Sequence, residues 1–435
     1  MTASRTIFAP ATARGRAGVA VVRVSGPMAG LSLDMISGGI PAPRTARLAA
    51  LMDPVTGETI DRGLVLWFPG PASFTGEDVA EFHVHGGPAV VAALLAALGE
   101  IEACRMAEPG EFTRRAFLNG KLDLTQAEGL GDLIAAETAA QRRQALGQMD
   151  GGFARIAEDW ARQLTRTLAH VEAAIDFPDD DLPDDLLGPA RMMAERLERE
   201  IRERLADGRR GEILRDGLSV ALVGPPNSGK SSLMNALAGR DAAIVSAQAG
   251  TTRDVIEVHL DLGGYPVILA DTAGIRDGAD PIEAEGIRRA RARAEAADLR
   301  LLVLDAGAPD SLEEFSALRG AATLVVWNKV DLNPEVGDGL AISAATGQGL
   351  GQLIEALAAR AETLLAGDAP IVTRQRHRAA LEECADCLAR AIAGHDPALV
   401  GEDLRLAVRA LGRITGRVDV EDLLDVIFRD FCIGK

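Results

Sequence analysis

Cysteine is scarce in this chain. Only Cys104, Cys384, Cys387 and Cys432 occur in 435 residues, which points to a reducing compartment rather than a disulfide framework. Cys384-x-x-Cys387 is a single pair in a helical pattern, and without a second pair it reads as two buried thiols, not a zinc site. No apolar run approaches the roughly 20 residues of a membrane span, so no membrane association is expected. No secretory signal is legible: Thr2 to Arg5 is polar and no small-residue cleavage site follows an apolar run, so the expected location is cytoplasmic. Basic residues are in deficit, 46 Lys and Arg against 64 Asp and Glu, for a net charge of −18. That balance argues against broad, non-specific nucleic-acid binding. An RNA contact would have to be local, for example through Arg374, Arg376 and Arg378, which otherwise read as a solvated helix face.

The most specific signal is Gly224-Pro225-Pro226-Asn227-Ser228-Gly229-Lys230-Ser231. It stands between an apolar strand (Leu218 to Val223) and a helical stretch (Ser231 to Ala238), the context that makes G-x-x-x-x-G-K-S a phosphate loop. Backbone N–H groups from Asn227 to Ser232 and the helix N-terminus would cradle phosphates, Lys230 would reach the outer ones, and Ser231 would hold Mg²⁺. Asn328-Lys329-Val330-Asp331 follows a later strand, and the Asn328 amide and Asp331 carboxylate suit the edge of guanine. Ser343-Ala344, at the end of another strand, belongs to a guanine-facing loop. The expected nucleotide is GTP.

Gly250-Thr251-Thr252-Arg253-Asp254 precedes a strand pair joined at Gly263-Gly264, and Thr252 is the natural second hydroxyl for Mg²⁺. Asp271-Thr272-Ala273-Gly274 follows that pair, with Asp271 placed to hold the metal's water and Gly274 to meet the γ-phosphate. Signalling GTPases put a water-orienting Gln after this glycine. Here the residue is Ile275, so hydrolysis needs another water-positioning group and another charge. Glu283 is the candidate for the first, although it also reads as an acid in the first turn of a helix. For the second, the Asn227 amide oxygen and carbonyls from Ser246, Ala247, Gln248, Ala249 and Gly250 would suit K⁺, in the place of an arginine finger.

At this length two or three domains are expected. The fold class reads as multidomain α/β and α. Residues 1–120 alternate short strands, turns and a few helices; Ala80, Phe82 and Val84 alternate with Glu81, His83 and His85 as in a half-buried strand. Residues 121–215 are helical, residues 216–368 form an inserted Ras-like P-loop GTPase domain, and residues 369–435 return to helix. The two helical stretches are expected to pack into one discontinuous bundle.

Three further stretches, Val22-Arg23-Val24-Ser25-Gly26, Asn119 to Glu128 and Phe431-Cys432-Ile433-Gly434-Lys435, make the resemblance specific. Together with the nucleotide motifs, the chain resembles the MnmE (TrmE) family of tRNA modification GTPases over essentially its whole length. The resemblance implies an N-terminal α+β domain that dimerises and binds 5-formyl- or 5,10-methylene-tetrahydrofolate, with Arg23, Glu81, Lys121 and Lys435 at the folate positions. It implies K⁺ at Asn227, Ser246, Gln248 and Thr251, Mg²⁺ at Ser231 and Thr252, and a part for Cys432 in the modification chemistry. Ser246 and Gln248 depart from the family's usual Thr and aliphatic residue. It further implies a homodimer that joins an MnmG-type FAD protein in a heterotetramer and acts on tRNA. Residue by residue, without that resemblance, Glu81, His83 and His85 read as a polar strand face, and Cys432 as a small hydrophobe beside Phe431. A ribosome-assembly GTPase binding rRNA is the alternative, and a slowly cycling regulatory switch is a further one.

Overall fold

The computed structural model describes residues 5–176, 187–240, 242–244, 257–271, 296–309, 311–367, 370–418, 424, 427–429, 431–432 and 434. The chain forms two compact units, residues 1–131 with 149–168 and 405–435, and residues 132–148 with 169–404.

In the first unit a six-stranded sheet is built from β1 (Thr6–Pro10), β2 (Ala17–Ser25), β3 (Arg47–Met52), β4 (Thr59–Phe68), β5 (Val79–Gly86) and β6 (Cys104–Met106), in the order β3-β4-β5-β2-β1-β6. All neighbours are antiparallel except β1 and β6. Alternation decides the faces, because successive side chains of a strand point to opposite sides. Val22, Val24, Val65, Ala80 and Phe82 are fully buried in one core with Leu33, Ile36, Leu94 and Leu98 from helices α1 (Ala29–Ser37) and α2 (Pro88–Gly99). The opposite face carries Arg23, Glu81, His83 and His85, partly or fully exposed. The half-buried strand expected at residues 80–85 is therefore observed. Helix α3 (Glu111–Leu118) follows, and helix α4 (Leu124–Ala135) begins in this unit.

The second unit holds a second six-stranded sheet, of β7 (Leu218–Val223), β8 (Glu257–Leu262), β9 (Tyr265–Asp271), β10 (Leu299–Asp305), β11 (Thr323–Asn328) and β12 (Leu340–Ala341). Their order is β12-β11-β10-β7-β9-β8, parallel throughout except for the β8–β9 hairpin. β10, with Leu301, Leu302, Val303 and Leu304 all fully buried, is the near-continuous apolar run of a strand covered on both faces. The described helices of this domain are α9 (Lys230–Ala238), the short α10 (Ser311–Glu314) and α11 (Leu350–Leu365).

Before the nucleotide domain come α5 (Ala139–Met149), α6 (Gly152–Asp176), α7 (Leu187–Leu205) and α8 (Arg210–Asp216); after it come α12 (Gln375–Ala393) and α13 (Pro397–Thr415). α7 packs on α12. Ala190, Ala194, Leu197 and Ile201 are buried on the first and Leu381, Cys384, Leu388 and Ala391 on the second. The helices on either side of the insertion thus do pack together. The chain enters and leaves the nucleotide domain at a narrow neck. Gly211 lies so close to the Val372 carbonyl that a Cβ would collide with it, and Thr373 Oγ1 donates to Gln148 Oε1 at 2.7 Å.

Candidate functional site

The parallel strands deliver the nucleotide motifs to one end of the second sheet, the carboxyl end where ligands of open α/β sheets bind. β7 runs directly into the glycine loop, Asp271 closes β9 opposite Leu222, and Asp305 and Asn328 close β10 and β11 side by side. Gly229, with φ 93°, turns the loop into α9, and a Cβ there would collide with Asn328 Nδ2. Only glycine fits on both counts. Lys230 is 7% exposed and folds over the loop, its Nζ donating to the Gly224 carbonyl at 3.0 Å and the Pro225 carbonyl at 2.9 Å. An ammonium held at the mouth of a helix N-terminus prefers an anionic acceptor to neutral carbonyls, so the loop fits a polyphosphate. Ser231 and Ser232 are exposed in the first turn of α9, where a hydroxyl could hold Mg²⁺. Asn227 is exposed with φ 60°.

On the base side, Asn328 is 2% exposed and works as a brace. Its Nδ2 donates to the Ser228 carbonyl at 2.9 Å and its Oδ1 accepts from the Ala344 amide at 3.0 Å. A carboxamide nitrogen has a second hydrogen, so the brace leaves one donor for a purine. Asp331 is exposed. Ser343 is fully buried and caps the following turn by accepting from the Thr346 amide at 3.2 Å. Lys329 Nζ pairs with Asp305 Oδ2 at 2.7 Å. Burial pulls the Asp305 carboxyl upward, but the Lys329 hydrogen bond, the Gly307 amide and the lysine's charge outweigh it and hold it below its ordinary value.

A second polar cluster lies on the open face of the first sheet. Arg23 and Glu81 are cross-strand partners, with Arg23 Nε and Nη2 at 3.0 and 2.9 Å from Glu81 Oε1. His83 Nε2 is 3.2 Å from Glu81 Oε2. The Arg23 guanidinium carbon lies 5.5 Å from the centre of the Phe74 ring and 5.9 Å from that of Phe112. Lys121 Nζ donates to the Pro71 carbonyl at 3.0 Å, so it reaches the loop that carries Phe74. Ser25, Thr75, Glu77 and Arg115 form an adjoining network: Ser25 Oγ is 2.7 Å from Thr75 Oγ1 and donates to Glu77 Oε2 at 2.9 Å, and Arg115 also reaches Glu77 at 2.9 Å. The sequence reading missed this network; the Glu111–Arg115 spacing on α3 was its one local signal.

The N-terminal residues 6–121 match the family described as "GTP-binding protein TrmE N-terminus", and residues 124–432 match "MnmE helical domain". A "tRNA modification GTPase MnmE" from Parvibaculum lavamentivorans is 60% identical over 437 residues, covering 99% of this chain and 100% of that relative. The chain belongs to the MnmE (TrmE) family. A second MnmE, from Paramagnetospirillum magneticum, is 57% identical over 442 residues, again covering 99% of this chain and 100% of the relative. Among solved structures, a point variant of Aquifex aeolicus Era bound to GDP.AlF4- is 25% identical, covers 41% of this chain and 68% of that one, and superposes with a TM-score of 0.27. The nucleotide fold rests here on strand order and loop geometry, not on that superposition.

Within this MnmE-family chain, Ser246, Ala247, Gln248, Ala249, Gly250, Thr251, Thr252, Thr272, Ala273, Gly274, Glu283 and Lys435 lie outside the described residues. Arg23 and Glu81 are brought together, with Lys121 on the adjoining loop. Cys432 is exposed. Cys384 and Cys387 are buried, and burial pushes both thiols up, as the reading of inert core thiols requires. His83 and His85 each engage their own carboxylate, Glu81 and Asp61, and among the described residues no cluster of three metal-binding side chains occurs. Among the same residues no helix is long and apolar enough to cross a membrane.

One expectation is corrected. Arg374 and Arg378 do not form a solvated face. Arg374 pairs with Asp132 at 2.6 Å, and Arg378 reaches Glu212 at 2.6 Å, Asp207 at 2.8 Å and the Leu205 carbonyl at 2.9 Å. A planar guanidinium engaged on three sides, as that of Arg378 is, acts as a structural brace.

Proposed function

We propose that this chain hydrolyses GTP to drive a conformational cycle in a complex that modifies C5 of the tRNA wobble uridine. The group added is aminomethyl or carboxymethylaminomethyl, its carbon drawn from a tetrahydrofolate one-carbon unit and its nitrogen from glycine or ammonium. The observation that carries the nucleotide half is the Asn328 brace, which ties the phosphate loop to the Ser343-Ala344 turn. Full-length likeness to tRNA modification GTPases supports the other half.

In this reading residues 1–120 bind folate and dimerise, 121–215 and 369–435 are the two parts of the helical domain, and 216–368 bind GTP. Lys230 and the loop amides hold the phosphates. Asn328 and Asp331 read the base. Ser231 and Thr252, with Asp271, hold Mg²⁺, which would neutralise charge on the phosphate oxygens. Asn227, Ser246, Gln248 and Thr251 hold K⁺, which would offset charge developing in the transition state. Glu283 orients the attacking water, since Ile275 has no group able to do so.

Glu81 offers a carboxylate to paired N–H donors such as a pterin edge, while Arg23, Lys121 and Lys435 suit an anionic tail. Cys432 serves the modification chemistry. The protein works as a homodimer with an MnmG-type FAD protein, bound to tRNA in the cytoplasm. GTP hydrolysis drives opening and closing rather than carbon transfer.

Two measurements test this. Digested tRNA from cells lacking the protein should have lost its C5-modified wobble uridines, and the wild-type gene should restore them. Unchanged uridines, with no redundant enzyme, would point instead to ribosome assembly. Turnover of GTP should be much faster in KCl than in NaCl at equal ionic strength; equal rates would remove K⁺ from the mechanism.

A further inference from the structure

The segment carrying Cys432 is seated by close backbone approaches. Gly434, with φ 99°, lies against the end of β1, where a Cβ would collide with the Pro10 carbonyl oxygen and sit 2.9 Å from its carbon. Gly110, with φ 67°, precedes α3 and faces Phe428, whose carbonyl oxygen would be 2.5 Å from a Cβ. The Gly110 amide itself donates to the Cys432 carbonyl at 3.5 Å. Between these points Phe428 is 2% exposed, in a cluster with Leu124, Ala127 and Leu424, and its ring centre lies 5.6 Å from that of Phe431.

Both slots adjoin the neighbours of Arg23. Ala9, next to Pro10, is the register partner of Arg23 across β1 and β2. Phe112, two residues past Gly110, places its ring 5.9 Å from the Arg23 guanidinium carbon. Cys432 is therefore bracketed by two contacts, each within two residues of a group that touches or pairs with Arg23. A positive φ combined with a blocked Cβ excludes any L side chain.

We propose that Gly110 and Gly434 are positioning residues that fix the exposed Cys432 beside the Arg23–Glu81 cluster, where glycine is demanded by space and handedness rather than by flexibility. The inference rests on the reading that Cys432 serves the modification chemistry.

Cys432 allows a direct test by native ligation of a synthetic Cys-Ile-X-Lys peptide onto a thioester of residues 1–431, rebuilding the full chain. X is glycine, L-alanine or D-alanine. D-alanine favours positive φ and directs its methyl away from the Pro10 carbonyl, so it matches the L variant in composition and differs only in hand. The glycine and D-alanine chains should behave alike. The L-alanine chain should show about tenfold faster hydrogen exchange at the Gly110 amide, as expected of a locally released segment, with GTP turnover unchanged. Alkylation of Cys432 by iodoacetamide, read on the C-terminal peptide by mass spectrometry, should change in the L-alanine chain alone. In a reconstituted modification assay the D-alanine chain should retain activity and the L-alanine chain lose it. An L-alanine chain that matches glycine, or a D-alanine chain that fails with it, overturns the proposal. Normal modification by Cys432→Ser would instead remove the role assigned to the thiol, leaving the exchange result to judge the seating.

Discussion

Asn328 Nδ2 lies 2.9 Å from the Ser228 carbonyl oxygen, so one buried amide couples the Ser343-Ala344 turn to the glycine loop. Replacing it by aspartate sets a carboxylate against that carbonyl. Asn328→Asp should lose about 1–3 kcal/mol of stability and weaken GTP binding by at least about tenfold. Thermal melting and titration with a fluorescent guanine nucleotide measure both. A variant unchanged in both would mean that the brace is idle.

Two glycines at the ends of α9 should respond in opposite directions. Gly229→Ala meets φ 93° and the Asn328 amide, so melting and nucleotide affinity should fall together. Gly239 has φ −83°, and among the described residues its added Cβ would have only the Asn235 carbonyl nearby, at 3.6 Å. Gly239→Ala should be neutral or raise stability by about 0.4–1 kcal/mol, by restricting the unfolded chain.

The turn of the glycine loop into α9 was legible because the glycines that permit it stand at set spacings in one contiguous stretch. The strand alternation at residues 80–85 was legible for the same local reason. The arginine face was misread because what decides Arg378 is its pairing with Glu212, 166 positions away. The seating of Cys432 was equally hidden, since it depends on Pro10 and Gly110, far off in the chain. The Ser25–Thr75–Glu77–Arg115 network needed three separate segments to meet.

The helical segment before the nucleotide domain is built into that domain's core. Ala140 is 5% exposed among Leu218, Leu260 and Leu269, and its amide donates to the Gly264 carbonyl at 3.0 Å at the tip of the β8–β9 hairpin. His259 Nδ1 and Glu137 Oε2 meet beside it at 3.0 Å, each about a third exposed. Ala140→Asp should therefore lower the melting temperature sharply, through a buried charge without a partner. Glu137→Gln should cost less than about 1 kcal/mol, as exposed pairs do. If the two variants melted alike, the hairpin contact would be held by the ion pair rather than by the core.

Acid should probe the neck through Glu212. Burial pulls its carboxyl upward, but hydrogen bonds from Arg378 and Arg209 and their charges outweigh that and hold it below its ordinary value. A carboxylate depressed on folding stabilises the protein above its unfolded pKa of about 4.3, and that contribution disappears as pH falls through the folded value. Arg378→Met leaves Glu212 with Arg209 and removes the cation from Asp207. The loss should be about 3 kcal/mol at neutral pH and should shrink below about pH 4, as the stranded carboxyl takes up a proton. Chemical denaturation at pH 7 and pH 3.5 gives the comparison, and a deficit independent of pH would show that packing alone is lost.

At Gly211 and Val372 the chain returns to the point from which it departed, closely enough that no side chain fits between. A segment with coincident ends occupies no length in the path of the host. Removing it and joining its two ends by a short turn keeps the path of the flanking chain, but it uncovers Ala140 and takes His259 from Glu137 and Glu212 from Arg378, so any grafted module must replace those contacts. The nucleotide domain is thus separable from its host in path but not in packing.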